Sequence, residues 1–183
     1  MAAPQKSSSP SSGSSRREIA FLGKFLLFLT LFFVAVAPKP MDEAFVKPFT
    51  NLVAKAGGAV CSALGENTSM TGTIIRSPRF AVDIKNGCNG LETMFIFAAG
   101  VLAFPSPWKP KLLGLLVGMA AIQLVNLVRI VALFFTGVFF PELFEQSHTV
   151  VWQAIVVLAG VLFFLLWASR FARPRPAAAE QAA

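Results

Sequence analysis

The sequence is poor in the residues that build metal and cofactor sites. It contains one histidine and two cysteines, and these do not form the spaced pairs typical of zinc ligands. Neither a glycine-rich phosphate loop nor a dinucleotide-binding fingerprint occurs in the chain. We therefore expect no metal and no cofactor.

Charged residues are also scarce, and most of them are basic. The chain has 16 lysines and arginines against 9 aspartates and glutamates, a formal net charge of +7. A basic balance often indicates nucleic-acid binding. Here, however, the basic residues flank apolar segments and form no patch with interleaved aromatic side chains. The charge pattern therefore predicts no nucleic-acid partner.

Apolar residues make up 55% of the chain, and they come in long runs. A helix needs roughly 20 mostly apolar residues to cross the hydrocarbon core of a bilayer. Four runs approach this length, at residues 19–37, 91–104, 112–135 and 149–169. The first run lacks a small-residue cleavage site, so we interpret it as a retained anchor. The sequence predicts an all-α transmembrane fold, a bundle of about four membrane-spanning helices.

The basic residues next to these runs predict how the bundle is oriented, because loops rich in Lys and Arg stay cytoplasmic. Such residues precede the first run, occupy the turn 105–111 and follow the last run. Both termini and this turn are therefore expected on the cytoplasmic side. The remaining connections, 38–88 and 136–148, are then expected on the outer face.

Composition divides the chain into a membrane-embedded domain, 19–170, and two tails. Residues 1–18 are rich in Ser and are predicted to be a disordered cytoplasmic tail, and residues 171–183 a second cytoplasmic tail. Within the domain, residues 41–64 have the apolar spacing of an amphipathic helix lying on the outer face. Two β-rich runs around Ser77-Pro78 predict a small β-hairpin after that helix.

Three potentially reactive residues, far apart in the sequence, are predicted to share one depth in the membrane. Cys88 precedes the second apolar run, and His148 precedes the fourth. Arg129 follows Lys111 on one helix, which places it roughly 27 Å above the inner surface and just under the outer one. Together Cys88, His148 and Arg129 supply a nucleophile, a proton shuttle and an electrophilic stabiliser. These groups suit acyl transfer through a thioester.

Each of these residues also has an ordinary structural explanation. Cysteine is a common small buried residue, and Cys88 could instead form a disulfide with Cys61 on the same side. An arginine in a membrane costs at least ~2.5 kcal/mol on insertion scales, but Arg129 could snorkel to the headgroups. Asn126, one turn earlier on the same helix face, favours an inward-pointing Arg129. A lone His148 would more often be an interfacial residue.

The function also has an alternative from another class. In a non-enzymatic membrane assembly factor or a small transporter, Arg129 would be structural or bind a charged group, and Cys88 would be incidental. Glu92, one turn after Cys88, could support a catalytic base or only cap its helix.

Three motifs, taken in order, resemble the exosortase/archaeosortase family. They are Asn86-Gly-Cys-Asn-Gly-Leu-Glu at the head of one span, Asn126-Leu-Val-Arg-Ile in the next, and His148 at the start of the last. The short chain and the segment Phe104-Pro-Ser-Pro-Trp look most like the compact variant called exosortase H. The resemblance covers roughly residues 19 to 170.

The resemblance implies a membrane-embedded cysteine transpeptidase or protease of the inner membrane, with its active site facing the periplasm. Cys88, Arg129 and His148 would take the family's catalytic roles. The other polar residues of the same motifs are supporting candidates: Asn89, Glu92 and Asn126. Its partners would be exported proteins whose C-terminus carries a short recognition motif, a transmembrane helix and a basic cluster, in contact with membrane lipid. Cleavage would form a thioacyl-enzyme, and an acceptor would receive the new C-terminus.

Overall fold

The structure is a computed structural model that describes residues 12–171. Its helices are α1 Ser12–Val36, α2 Lys39–Met41, α3 Lys47–Ala63, α4 Leu91–Ala103, α5 Trp108–Phe139, α6 Phe144–Gln146 and α7 Gln153–Phe171, and its strands are β1 Ser69–Thr71, β2 Ile74–Arg76 and β3 Ala81–Asp83. Residues 12–18, assigned to a tail from the sequence, are helical here. The rest of the two predicted tails, 1–11 and 172–183, lies outside the described residues.

Three helical segments are long and apolar enough to cross a membrane: Ser15–Val36, Trp108–Phe139 and Pro141–Phe171. The second predicted span, 91–104, corresponds to α4. Its 13 residues extend over roughly 20 Å, which is less than the ~30 Å of a hydrocarbon core. α4 is apolar and packs against α1, α5 and α7. The all-α membrane bundle is confirmed, with one short inner helix among three long ones.

Small residues let the helices of the bundle approach closely. A side chain at Gly118 of α5 would overlap the ring of Phe97 on α4, and one at Gly114 would overlap the indole of Trp167 on α7. The Trp167 Nε1 also donates a hydrogen bond of 3.0 Å to the carbonyl of Pro110. Such contacts are typical of helix packing in membranes. They fix the relative depth of α4, α5 and α7 at the end of the bundle that carries the turn 104–107.

The opposite end of the bundle is covered by α3 and a three-stranded antiparallel sheet of order β1-β2-β3. Ile75 of β2 is fully buried and packs with Cys61 of α3 and with Ile130 and Phe134 of α5. The predicted amphipathic helix and β-hairpin are therefore present as α3 and the β2–β3 pair. The additional strand β1 was missed, because Gly72, at φ 61°, turns the chain inside what looked like one continuous β-rich run.

The connection 136–148, expected to be a short outward loop, is mostly helical. α5 continues to Phe139, and Phe140 leaves the helical region at φ −141° and ψ 62°. Pro141 then begins a 3-10 turn that runs through α6 into a π-helical turn, Ser147–Trp152, and on to α7. Proline is favoured at a first helical position, where no backbone donor is needed. The last span is therefore preceded by a helical segment rather than by a loop.

Candidate active site

Cys88 and His148 meet at the covered end of the bundle. The Cys88 Sγ lies 2.8 Å from the His148 Nε2, within the reach required for proton transfer. His148 projects from the π-helical turn Ser147–Trp152. A π turn of this kind is frequent at functional sites. The ring of Phe144 stacks against the imidazole, with centroids 5.8 Å apart and planes at 6°. A thiol and an imidazole are thus held in contact by two separate elements.

Arg129 of α5 completes the group. Its Nη2 points at the Cys88 Sγ from 3.8 Å, and the side chain is only 2% exposed. It does not extend to headgroups, because α3 and the sheet cover this part of α5. Within the described residues the Arg129 Nε has no hydrogen-bond partner. A buried cation with an unused donor therefore faces the thiol.

The turn that carries Cys88 depends on two glycines. Gly87 and Gly90 have φ values of 89° and 79°, which L side chains rarely adopt. A Cβ at Gly90 would also stand 2.9 Å from the Gln123 Nε2 and 3.0 Å from the Asn126 Cγ. The backbone N–H of Cys88 donates to the carbonyl of Lys85 at 2.9 Å. The glycines let the chain reverse tightly against α5 and direct Cys88 towards Arg129.

Asn89 anchors this turn to three helices. Its Nδ2 donates to the Thr50 Oγ1 at 2.9 Å, and the Thr50 hydroxyl donates to the carbonyl of Val46 at 2.8 Å. Its Oδ1 accepts from the Leu91 N–H at 3.0 Å, and its carbonyl accepts from the Gln123 Nε2 at 3.1 Å. Asn89 and Thr50 are 1% and 2% exposed. Thr50 was missed from the sequence, since a threonine on an amphipathic helix carries no distinctive signal.

Asn126 lies one turn before Arg129 and is fully buried against Gly90. Neither its Oδ1 nor its Nδ2 finds a hydrogen-bond partner in the described part of the chain. Buried amides are nearly always paired. The side chains of Asn126 and Arg129 therefore place hydrogen-bonding groups without a partner behind Cys88.

Glu92 lies apart from the histidine. Its side chain is exposed and stands in the first turn of α4, where a negative charge favours the helix dipole. Its carboxylate acts through space on Cys88 and Arg129. Among residues 12–171 no ion pair joins Glu92 to His148. The structure therefore places Glu92 beside the site, not behind the base.

The two cysteines are free and differ in environment, so the structure does not contain the Cys61–Cys88 disulfide that was considered as an alternative. Cys61 is fully buried, and burial raises the pKa of its thiol to about 11. Burial also raises the pKa of the Cys88 thiol above its usual value, while the charge of Arg129 opposes the shift. Cys61 is thus inert at neutral pH, and Cys88 is the thiol that has a base and a cation beside it.

The space on the α5 side of Cys88 is very small. An enclosed gap of about 10 Å³ lies between Cys88, Arg129, His148 and strand β3. That is room for one water molecule at most.

In the described part of the chain no group of three or more His, Cys, Asp or Glu could hold a metal ion.

The fold and site define a helical membrane protein in which a cysteine, a histidine and an arginine converge at one end of the bundle. The family model of the transmembrane exosortases matches residues 16–172. The chain belongs to the transmembrane exosortase family, which confirms the resemblance seen in its motifs. Membership supports a membrane transpeptidase role at the level of the family. No curated protein and no solved structure matches the chain.

Proposed function

We propose that the protein is a membrane-embedded cysteine transpeptidase or endopeptidase. It cleaves the C-terminal sorting tail of exported proteins through a thioacyl-enzyme and transfers the new C-terminus to an acceptor. The observation that carries the proposal is the 2.8 Å contact between the Cys88 Sγ and the His148 Nε2, with the Arg129 guanidinium beside it. This is the nucleophile, base and electrophile set of acyl transfer.

The first half of the reaction forms the thioester. The His148 Nε2 accepts the proton of the Cys88 thiol, and Sγ attacks the carbonyl carbon of the scissile peptide bond. The carbonyl oxygen becomes an oxyanion. As the tetrahedral intermediate collapses, the C–N bond breaks, and the proton on His148 passes to the leaving amine. The tail departs, and the rest of the substrate stays esterified to Cys88.

Arg129 is the residue that stabilises this oxyanion. The backbone N–H of Cys88 is already bonded to Lys85, and that of Leu91 to the side chain of Asn89. These two donors of the turn are therefore not free. The Arg129 guanidinium is buried and positively charged, and its Nε–H has no partner among the residues that the structure describes. A donor fixed in a low-dielectric site stabilises developing charge more strongly than one in water.

The second half resolves the thioester. A nucleophilic acceptor attacks the acyl carbon, His148 takes the acceptor's proton, and the C–S bond breaks to release the Cys88 thiolate, which recovers that proton. If water is the acceptor, the same steps give hydrolysis, and the protein acts as a protease.

The substrate would reach this site as a membrane-anchored tail. We place both termini and the turn 105–111 on the cytoplasmic side of the inner membrane, from the basic residues that flank the apolar runs. Cys88 and His148 would then face the periplasm. A tail with its own transmembrane helix presents the bond to be cut near headgroup depth, and confining both proteins to one membrane raises their effective concentration.

The test replaces Cys88 by Ala in the native host and follows exported proteins with C-terminal membrane tails by mass spectrometry. We expect the tails to remain attached. Cys61→Ala is the matched control, because it removes the other, buried thiol and should leave cleavage intact. Normal processing in the Cys88→Ala strain would refute the proposal and favour a non-enzymatic assembly factor or a small transporter.

A further inference from the structure

A cleft of about 230 Å³ opens beside the turn that carries Cys88. Gly87 and Asn89, the two chain neighbours of Cys88, form one wall of it. The other walls come from the end of α1, from the segment that precedes α3 and from the start of α4. The cleft therefore adjoins the turn that carries the proposed nucleophile, and it shares no lining residue with the gap between Cys88, Arg129 and β3.

The sizes of these two spaces decide which side can take a substrate side chain. The enclosed gap of about 10 Å³ holds at most a water molecule. The cleft is much larger, and even an apolar cavity of ~150 Å³ is enough to bind benzene. Of these two spaces, only the cleft is large enough to hold a side chain next to the bond cut at Cys88.

The walls and the rim of the cleft have different chemistry. Its walls are largely apolar, built by Phe33 and Val36 of α1, Val46, and Leu91 and Phe95 of α4. A charged side chain would lose its hydration against these walls, which is costly without a partner. An apolar side chain would gain by leaving water.

Polar groups lie at the rim. They are Asp42, Asn86 and Glu92, and the Asn86 Nδ2 donates to the Asp42 Oδ1 at 3.2 Å. Carboxylates are acceptors only. They therefore suit the backbone N–H groups of an extended peptide whose side chain enters the cleft.

We propose that this cleft is a substrate subsite that binds a bulky apolar side chain adjacent to the bond cut at Cys88. The inference rests on the proposed role of Cys88 as nucleophile, and it adds what the enzyme selects beside the scissile bond. Val36 lines the cleft from the α1 side. Val34 is the matched position, since it lies on the same helix, is 62% exposed and does not line the cleft.

Thiol labelling of the purified full-length protein tests the subsite without a known substrate. The rates of Cys88 labelling by N-methylmaleimide, a small reagent, and by N-(1-pyrenyl)maleimide, a bulky apolar one, are compared by mass spectrometry. Val36→Trp should lower the pyrenyl-to-methyl rate ratio roughly tenfold, because it overfills the space the pyrene enters. Val36→Ala should raise the ratio, and Val34→Trp should leave it unchanged. An unaltered methyl rate shows that each variant keeps its site.

A ratio that stays the same in both Val36→Trp and Val36→Ala would overturn the subsite. That is also the result expected if a lipid acyl chain permanently fills the cleft. This outcome is separate from failure of the proposed function. If Cys88→Ala still processes tails in the host, Cys88 is not the nucleophile, whatever the labelling ratio. If Cys88→Ala blocks processing while Val36→Trp does not, the proposed enzyme function is supported and the proposed subsite is refuted.

Discussion

The Sγ of Cys88 and the Nε2 of His148 lie 2.8 Å apart although 60 residues separate them in the chain. The contact joins the turn before α4 to the π-helical turn before α7. Both turns lie at the end of the bundle that α3 and the sheet cover. Arg129 reaches the same sulfur from α5. Two turns and α5 therefore contribute one residue each to a single cluster of side chains.

Removing the base should slow the chemistry while leaving the nucleophile in place. His148→Gln cannot accept the thiol proton, and general base catalysis typically contributes about 10²- to 10⁴-fold. We expect tail cleavage by the purified protein to fall by a factor in this range. Folding should be retained, which a thermal unfolding curve in micelles checks. Cleavage at the wild-type rate by His148→Gln would show that His148 is not the base.

Changing Arg129 should shift the pH dependence of Cys88. Burial raises the pKa of the Cys88 thiol, and the charge of Arg129 lowers it. In Arg129→Gln only the opposing charge is lost, so this pKa rises further and thiol labelling moves to higher pH. Arg129→Lys keeps a charge but not the planar fork. We expect its labelling curve to stay near that of the wild type, while cleavage is lost. A labelling curve for Arg129→Gln that moves to lower pH would contradict this electrostatic assignment.

Thr50 should act as a positioning residue, through Asn89. Thr50→Val keeps the shape of the side chain but leaves the Asn89 Nδ2 without its acceptor, a loss of about 1–3 kcal/mol for a buried group. We expect a lower unfolding temperature and reduced cleavage. Thr50→Ser restores the hydroxyl and should recover both. If Val and Ser behave alike at this position, the hydrogen bond does not hold the turn.

Gly90 should tolerate no side chain. Gly90→Ala meets both a positive φ of 79° and the amides of Gln123 and Asn126. Gly72→Ala is the control, because Gly72 has a φ of 61° but open space around it. A residue held at positive φ costs on the order of 1–3 kcal/mol. Gly90→Ala should therefore lose more stability than Gly72→Ala and should also lose cleavage. Equal losses of stability in Gly90→Ala and Gly72→Ala would mean that the close approach of α5 to this turn does not contribute to stability.

Much of this arrangement follows from simple sequence features. Apolar runs predict the long helices because crossing a bilayer requires continuous apolar length. The distance from Lys111 to Arg129 along one helix predicts the depth of the arginine. The motifs around Cys88, Arg129 and His148 led to the family that the comparison confirms.

Other features depend on packing between distant elements, which a single sequence does not specify. The buried pairing of Thr50 with Asn89 requires α3 to dock beside the turn. The helical character of 141–152 depends on its packing against α5, whereas the charge pattern predicted only that the connection 136–148 faces outward. The contact of His148 with Cys88 needs the π-helical turn that orients the ring. The apolar runs and the family could therefore be predicted from the sequence, but the contacts between the site residues could not.

The most direct measurement is the capture of the acyl-enzyme. Purified protein is mixed with a membrane-anchored tail substrate, quenched in acid and digested, and the peptides are analysed by mass spectrometry. We predict an acyl group on Cys88 that hydroxylamine releases, no acyl group on Cys61, and no adduct or cleavage with Cys88→Ala. An acyl group on a different residue, or undiminished cleavage by Cys88→Ala, would contradict it.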